Sequence, residues 1–202
     1  MPELPEVETV CRGLEKVLPG HAIRAVKRNR DGMRTPFPPA LGKIANVKIT
    51  AIDRRAKYVL IRLGNGQTLI VHLGMSGRMV IHDKNKKYIA NKHDHMILQM
   101  DNGVSIVLND PRRFGLADLV DTKIWEQHRL FAHLGPEPLE KIFSDTYLAD
   151  KLQSKKIAIK LAIMDQQVVV GVGNIYASEA LFTAGIDPRR AANTIKPAEL
   201  KK

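Results

Sequence analysis

The sequence predicts an α+β protein whose first part is rich in β-strands and whose second part is helical. Strand-like segments with short turns dominate up to about residue 122, and helical patterns replace them from residue 123 to residue 202. Hydrophobic residues make up 44% of the chain and charged residues 26%, which is typical of a globular protein with a substantial core. We therefore expect two domains, 1–122 and 123–202.

The first expected element is an amphipathic helix close to the N-terminus. Between Glu6 and Leu18, apolar residues recur at spacings of three and four, which is the pattern of a helix with one buried face. Pro5 lies near its first turn and Gly20 follows its end, as is common at the two ends of a helix.

The next expected elements are strands. The tripeptide Asp101-Asn102-Gly103 separates two of them and is a strong signal for a tight hairpin turn. Many strands joined by short turns favour an antiparallel sandwich or barrel. The predicted strand segments are 47–52, 57–63, 68–73, 96–100 and 104–108.

Helices are expected in the second part. A glycine-rich turn at 171–174 leads into one of them, and Gly185 closes it. Residues 197–202 are expected to begin a further helix. A helix of one turn is not stable by itself, so we expect the chain to be the front part of a longer protein. The predicted helical segments are 124–134, 144–152, 156–166 and 175–184.

The charge balance narrows the class of partner. Lys and Arg number 32 against 21 Asp and Glu, which leaves a formal net charge of +11. Such an excess favours a polyanionic partner, first of all nucleic acid, although a basic chain that is merely soluble remains an alternative. No apolar run approaches the roughly 18 residues that a membrane span needs, and the acidic N-terminus lacks the basic region of a signal peptide.

Cysteine usage points to a reducing compartment. The single cysteine, Cys11, excludes an internal disulfide and a self-contained zinc site of the cysteine type. We therefore expect a cytoplasmic protein.

The N-terminus offers a nucleophile. If Met1 is removed, Pro2 presents a secondary amine, and an α-amino group titrates near pKa 7.7–8.0, so much of it is neutral at physiological pH. A neutral amine attacks C1′ of a deoxyribose to form a Schiff base, and Glu3 could supply acid–base assistance. The simpler alternative is an acidic terminus in which Pro5 only starts a helix.

Seven sequence blocks, in order along the chain, resemble formamidopyrimidine-DNA glycosylases. One block would be weak evidence, but seven in order are highly specific, and the resemblance runs from the first residue to the last. The blocks are residues 1–10, 54–58, 72–77, 92–95, 110–115, 134–139 and 171–177.

The resemblance implies an N-terminal helix with an antiparallel β-sandwich, followed by an incomplete helix–two-turn–helix domain. It implies a bifunctional glycosylase and lyase of base-excision repair, which removes formamidopyrimidines and 8-oxoguanine opposite cytosine. Pro2 would be the Schiff-base nucleophile, Glu3 the acid that opens the sugar ring, and Lys57 the proton donor for β-elimination. Arg54 and Arg55 beside Lys57 suit a phosphate-lined site, since neighbouring cations lower an amine's pKa.

Such an enzyme extrudes a nucleotide and must fill the gap that is left in the stack. Met75, Arg112 and Phe114 match the family's void-filling residues. Met75 lies in a glycine-flanked turn, Phe114 is a flat side chain that can insert between bases, and Arg112 offers a planar donor fork to the orphaned cytosine. Met75 and Phe114 could instead be core residues, and we expect Arg113 to be a structural partner.

Four further residues match DNA-contacting positions of the family. Asn174 is expected to cap a helix whose exposed N–H groups suit a phosphate, with a plain cap as the alternative. Lys156 and Lys160 are expected on one face of the preceding helix. The assignment of His93 as a DNA-contacting residue depends on the match alone, because a histidine in a loop is ordinarily just solvated.

The chain lacks the zinc finger with which the family continues, so we expect no cofactor here and zinc only in that further segment. The resemblance implies that the partner is double-stranded DNA with an oxidised base or an abasic site, that no membrane is bound and that the protein is a monomer. It also implies a bacterial-type cytoplasmic protein that acts at the nucleoid. Two alternatives remain: an enzyme of the endonuclease VIII type, which prefers oxidised pyrimidines, and a catalytically impaired DNA-binding fragment.

Overall fold

The computed structural model describes residues 2–85 and 88–201. The chain forms two compact units, Met1–His128 and Arg129–Lys202. Within the described residues, the first unit holds one α-helix, all eight named strands and the 3-10 helix Pro39–Ile44, and the second unit holds the remaining α-helices. The predicted α+β class, with an antiparallel β-domain before a helical one, is confirmed.

The N-terminal helix α1 spans Leu4–Glu15. Its buried side chains, Val7, Cys11 and Leu14, recur at the predicted spacing. The helix begins with a capping box, in which the backbone N–H of Glu3 donates to Oε2 of Glu6 at 2.9 Å. This reciprocal cap satisfies N–H groups that a helix start would otherwise leave without partners.

The strands form one antiparallel sheet in the order β5-β7-β6-β1-β2-β3-β4-β8. The predicted hairpin at 101–103 joins β6 to β7, and Gly103 adopts a φ of +85°. The bounds are β1 Ala22–Arg28, β2 Val47–Arg55, β3 Tyr58–Leu63, β4 Gln67–His72, β5 Arg78–His82, β6 Asp94–Met100, β7 Ser105–Asn109 and β8 Leu116–Asp121.

The sheet folds on itself as a sandwich where β1 meets β2. These strands pair only through Ala22 with Lys48 and Ile23 with Val47, and each has a register irregularity beside this pairing. A single buried cluster contains side chains from both halves of the sheet and from α1. Burial of that shared cluster is the main stabilising contribution to the unit.

Three strands, β1, β5 and β8, were not among the predicted segments. β1 carries Arg24, Lys27 and Arg28 among its seven residues, so its sequence lacks a clear apolar alternation. The strand conformation of β1 follows from its pairing with β2 and β6. Pairing with distant strands cannot be predicted from a local sequence pattern.

The helical unit contains α2 Asp145–Leu152, α3 Ile159–Met164 and α4 Asn174–Ala184. The Ser144 side chain caps α2 by accepting from the backbone N–H of Tyr147 at 3.1 Å. Gly185 ends α4 with a φ of +68°, a conformation that glycine adopts without steric cost. The core of the helical unit includes Leu152, Ile159 and Leu181.

Parts of the helix predictions were wrong. Segment 124–134 forms a 3-10 helix, Thr122–Gln127, followed by turns, and none of the residues of that 3-10 helix is buried. Residues 197–201 form hydrogen-bonded turns and not the start of a helix. Short helices depend on packing of an apolar face to persist, and only single apolar side chains are packed in these segments, Phe131 in the first and Leu200 in the second. Among the described residues, no helix combines the length and apolarity required to cross a bilayer.

Candidate active site and DNA-binding residues

Glu3 lies at the first turn of α1, directly after the candidate nucleophile. Glu3 is only 2% exposed. The preceding residue, Pro2, is partly buried. The Glu3 carbonyl accepts from the N–H of Val7 at 3.1 Å, which fixes the helix start. The position of Glu3 is therefore rigid, and its acidic group is withdrawn from bulk water.

Lys57 occupies the two-residue turn between β2 and β3. Arg55 pairs with Tyr58 across this hairpin, so Ala56 and Lys57 form its tip. Ala56 adopts a φ of +52°, in the left-handed region where a residue with a Cβ is disfavoured. Lys57 is only 7% exposed, an unusual burial for a lysine.

The surroundings of Lys57 act on its proton affinity in opposite directions. Burial is the larger effect and lowers the pKa of the Lys57 ammonium below its ordinary value, while the negative charges of Glu3 and Glu6 raise it. The three residues therefore form one electrostatic group at the start of α1. A lysine with a lowered pKa exchanges its proton more readily near neutral pH.

His72, at the end of β4, joins this group and was not singled out as a site residue from the sequence. Burial, with the positive charges of Arg34 and Lys57, lowers the pKa of His72 to about 4. Its Nδ1 accepts from the N–H of Gly74 at 3.1 Å, and its ring lies 4.7 Å from that of Tyr58. A neutral His72 thus bridges the lysine turn and the glycine-flanked turn.

Met75, Arg112 and Phe114, which we call the wedge, lie on two loops, 74–77 and 111–115. Met75 is 42% exposed and Phe114 is 45% exposed, so neither is a core residue. The Arg112 guanidinium carbon lies 4.7 Å from the centre of the Phe114 ring. An exposed apolar pair beside an arginine is suited to stacking on bases.

The two loops that carry the wedge are packed backbone to backbone. A Cβ atom at Gly74 would stand 2.4 Å from the backbone N of Gly115, so this approach requires glycine. The buried Asp110 carboxylate accepts from the Ser76 hydroxyl at 2.6 Å and from the Gly115 N–H at 2.8 Å. Asp110 was part of a quoted motif but had no role assigned from the sequence.

His93 lies in the loop before β6 and is partly buried. Its N–H donates to the Asn91 side chain at 3.0 Å, and its carbonyl accepts from the Asp110 N–H at 3.0 Å. The backbone of His93 is therefore tied to the residue that joins the two loops.

Lys156 and Lys160 do not share a helix face, contrary to the prediction. α3 begins at Ile159, so Lys156 precedes it. The reason is that the preceding backbone pairs elsewhere: the Ile159 N–H donates to Arg190 and the Ile157 carbonyl accepts from Ala192, both at 2.8 Å. Lys156 is nevertheless exposed.

Asn174 is the first residue of α4 and not its cap. The capping position belongs to Gly173, which has no side chain, and Asn174 is exposed. The preceding turn is braced by Gln166, whose Oε1 accepts from Gly171 at 2.9 Å and whose Nε2 donates to Val172 at 3.0 Å. Gln166 was not singled out from the sequence because its role depends on this turn.

No group of three or more potential metal-ligating side chains occurs within residues 2–85 and 88–201. The one cysteine, Cys11, is buried, and burial raises the pKa of its thiol to about 12. A zinc site with four cysteine ligands needs deprotonated thiols, so the residues present do not fit one.

Both parts of the chain match domains of one known protein family. The N-terminal domain of formamidopyrimidine-DNA glycosylase matches residues 1–117, and the H2TH domain of formamidopyrimidine-DNA glycosylase matches residues 134–202. The formamidopyrimidine-DNA glycosylase of Cereibacter sphaeroides is 46% identical, with 98% of this chain and 73% of the relative covered. That of Ruegeria pomeroyi is 45% identical, with 99% and 73% covered.

Solved structures agree with this assignment. Lactococcus lactis Fpg (MutM) bound to DNA that contains an oxidised pyrimidine aligns with a TM-score of 0.91 at 32% identity, over 99% of this chain and 74% of that one. The same protein bound to abasic-site DNA aligns with a TM-score of 0.90 at 31% identity, over 98% and 73%. A β-sandwich unit followed by an H2TH unit defines a DNA-repair class of fold. Within that class, the chain belongs to the formamidopyrimidine-DNA glycosylase family.

Proposed function

We propose that this chain is a bifunctional DNA glycosylase and abasic-site lyase of base-excision repair. Its substrates would be formamidopyrimidines and 8-oxoguanine opposite cytosine in double-stranded DNA. The observation that carries the proposal is the buried Lys57 ammonium, on which the negative charges of Glu3 and Glu6 act at the start of α1, where Pro2 directly precedes Glu3. Because the substrate is chromosomal DNA, we place the protein at the bacterial nucleoid.

The first step is base removal. With Met1 removed, the neutral amine of Pro2 attacks C1′, and the glycosidic bond breaks with its electron pair leaving on the base, which takes up the proton that the Pro2 nitrogen loses. Glu3 donates a proton to O4′ as the C1′–O4′ bond opens, and the nitrogen lone pair forms the iminium. Glu3 is only 2% exposed and directly follows Pro2 in the chain, so its carboxyl group lies close to the amine that attacks C1′.

The second step is strand cleavage. The C2′ proton is lost to water, its electron pair moves toward the iminium to form an enamine, and the enamine expels the 3′ phosphate, which is β-elimination. Lys57 would donate a proton to the departing phosphate, and its lowered pKa supports this donation. Water then hydrolyses the Schiff base and releases Pro2.

DNA binding would use both units. In the first, the wedge would fill the gap left by the extruded nucleotide, and His93 would contact the backbone. In the second, Lys156, Lys160 and Asn174 would bind phosphates. The excess of Lys and Arg over Asp and Glu supports this, since neutralised phosphates supply much of the affinity for DNA.

Oxidised pyrimidines are a second candidate substrate class. The Lactococcus lactis relative was solved with DNA that contains an oxidised pyrimidine. The attack on C1′ is the same whichever base leaves, so the Pro2 chemistry does not distinguish the two classes. Matched duplexes with an oxidised purine or an oxidised pyrimidine would rank them by the rate of base release.

Borohydride trapping tests the proposal directly, because it reduces the Schiff base to a stable covalent adduct. The purified chain, with loss of Met1 verified by mass spectrometry, would be mixed with duplexes that carry 8-oxoguanine opposite cytosine or an abasic site. We expect an adduct with both. An adduct with the abasic site alone would limit the chain to the lyase step, and no adduct would reduce it to a DNA-binding fragment.

A further inference from the structure

Asp110 lies where the two wedge loops meet, directly before loop 111–115. Its side chain is wholly buried, at 0% exposure. Burying a carboxylate is unfavourable unless hydrogen-bond donors replace the lost water. The donors that surround Asp110 therefore indicate what this carboxylate holds together.

Each carboxylate oxygen of Asp110 binds a different part of the loops. Oδ1 accepts from the Ser76 hydroxyl at 2.6 Å and lies 3.3 Å from the donating N–H of Arg112. Oδ2 accepts from the N–H of Gly115 at 2.8 Å. The Ser76 Oγ also accepts from the Arg112 N–H at 3.2 Å, so the carboxylate links the Met75 loop to both ends of the other loop.

The backbone of Asp110 is in turn anchored to the sheet. Its N–H donates to the His93 carbonyl at 3.0 Å, and its carbonyl accepts from His95 Nε2 at 2.8 Å. Both partners lie at the start of β6 or just before it. The carboxylate thus projects from a rigid base into the junction of the loops.

The loop held by Asp110 contains a strained residue. Arg113 adopts a φ of +62°, between Arg112 and Gly115, whose N–H groups both donate to the carboxylate. Such a conformation persists only when surrounding contacts impose it. Without the carboxylate, the hydrogen bonds that stabilise the left-handed conformation of Arg113 would be lost.

We propose that Asp110 is a positioning residue for lesion recognition, which locks the two loops together so that the wedge enters the base stack as one body. The inference rests on the proposed function, because the wedge matters only if a nucleotide is extruded. A preorganised wedge avoids the entropy cost of ordering three side chains on binding.

The test variant is Asp110→Asn. Asparagine has nearly the same volume, but its NH2 group must face either the Gly115 N–H or the Arg112 N–H, and a donor facing a donor cannot bond. The variant therefore releases one loop without creating a cavity. A matched control is Asp94→Asn, since Asp94 is 5% exposed and accepts from Tyr88, Asn91 and Asn109, none of which lies in a wedge loop.

The measurement is the ratio of dissociation constants for undamaged duplex and for a duplex with a tetrahydrofuran abasic analogue. We expect Asp110→Asn to lower this preference about tenfold, the size typical of losing hydrogen bonds to a charged group. With 2-aminopurine beside the lesion, the fluorescence rise that reports unstacking should shrink in parallel. Asp94→Asn should leave the preference unchanged.

A double-mutant cycle with Phe114→Ala separates positioning from simple destabilisation. If Asp110 acts through the wedge, Asp110→Asn lowers the preference little further once Phe114 is absent. Equal weakening on damaged and undamaged DNA, or full additivity with Phe114→Ala, would overturn the inference while the proposed function stands. An unchanged preference in Phe114→Ala alone would overturn the wedge, and the inference with it.

Ser76→Ala provides a milder variant if Asp110→Asn does not fold. It removes the hydroxyl that connects Asp110 to the Met75 loop and leaves the carboxylate in place. We expect about a threefold loss of preference for the abasic analogue, the effect of one weaker hydrogen bond. No loss in this variant would contradict the proposal.

Discussion

Gly74 and Phe114 approach so closely that a Cβ atom on Gly74 would stand 2.4 Å from the carbonyl carbon of Phe114. Gly74 also has a φ of +62°, which residues with side chains rarely adopt. Glycine is therefore required at position 74 for two reasons, its positive φ and the close approach of the Phe114 backbone.

Gly74→Ala is expected to destabilise the protein more than Gly66→Ala. Gly66 has a φ of +82° but nothing within 4 Å of a Cβ atom, so alanine there meets only the left-handed strain of about 1–2 kcal/mol. At Gly74 a steric term of about 1–3 kcal/mol is added. Urea unfolding of both variants measures the difference, and equal losses would contradict the close approach.

Pro2→Gly is expected to reduce borohydride-trapped adduct sharply while binding to an abasic analogue stays largely intact. Glycine replaces the secondary amine of proline with a primary one and removes the ring that fixes its direction. Trapping rates and binding isotherms on the same duplex measure the two effects. Parallel loss of both would show that Pro2 has a structural role.

Phe114→Ala is expected to weaken binding to lesion duplexes more than to undamaged DNA. Phe114 is 45% exposed, so its removal leaves the core intact, while stacking on a base is worth about 1–3 kcal/mol. Fluorescence titration with both duplexes measures this difference. The same loss on each would mean that the ring serves general affinity and not the lesion.

Glu6→Gln is expected to move the alkaline limit of the lyase step to lower pH. Lys57 donates as the ammonium, and burial already lowers its pKa, while the charges of Glu3 and Glu6 raise it. Removing one of these charges lowers the pKa of Lys57 further, so the donating form is lost at lower pH. Cleavage rates on preformed abasic sites, from neutral to alkaline pH, measure the limit.

Glu8→Gln is the control for that measurement. Glu8 lies on the same helix but binds Arg54 at 2.8 Å and Arg12 at 3.0 Å. Its charge is not among those that act on Lys57. An equal displacement in both variants would attribute the effect to the helix and not to the charge of Glu6.

Cys11 is expected to resist alkylation in the folded protein. Burial, the main cause, raises the pKa of its thiol to about 12, and only the thiolate readily attacks an alkylating reagent. Iodoacetamide labelling, followed by mass spectrometry with and without urea, should show modification only on unfolding. Labelling of the folded chain at the rate of a free cysteine would contradict this burial.

Local patterns were enough to predict some of the elements. The three- and four-residue spacing of apolar residues from Val7 to Leu18 predicted α1, and Asp101-Asn102-Gly103 predicted the β6–β7 hairpin. Both are governed by contacts between residues that are close in the sequence. The family resemblance added the residue roles, which stay predictions.

The errors arose where distant backbone groups decide the conformation. Lys156 lies outside α3 because segment 155–160 bonds to segment 188–193, which spacing alone does not reveal. Gly173 takes the capping position expected for Asn174. The roles of His72 and Asp110 depend on partners such as Tyr58 and Ser76, which only the folded sheet brings near.

The contact between Arg112 and Phe114 has a consequence for the search along undamaged DNA. The guanidinium lies over the ring at 4.7 Å, in a cation–π contact worth about 0.5–1 kcal/mol at an exposed site. Because this contact holds the two side chains together, the ring would approach the polyanionic duplex with a positive charge beside it. Phosphates would then attract the wedge at every site along the duplex, while only a weakly stacked base pair would admit the ring, so weak stacking itself would select where the enzyme pauses.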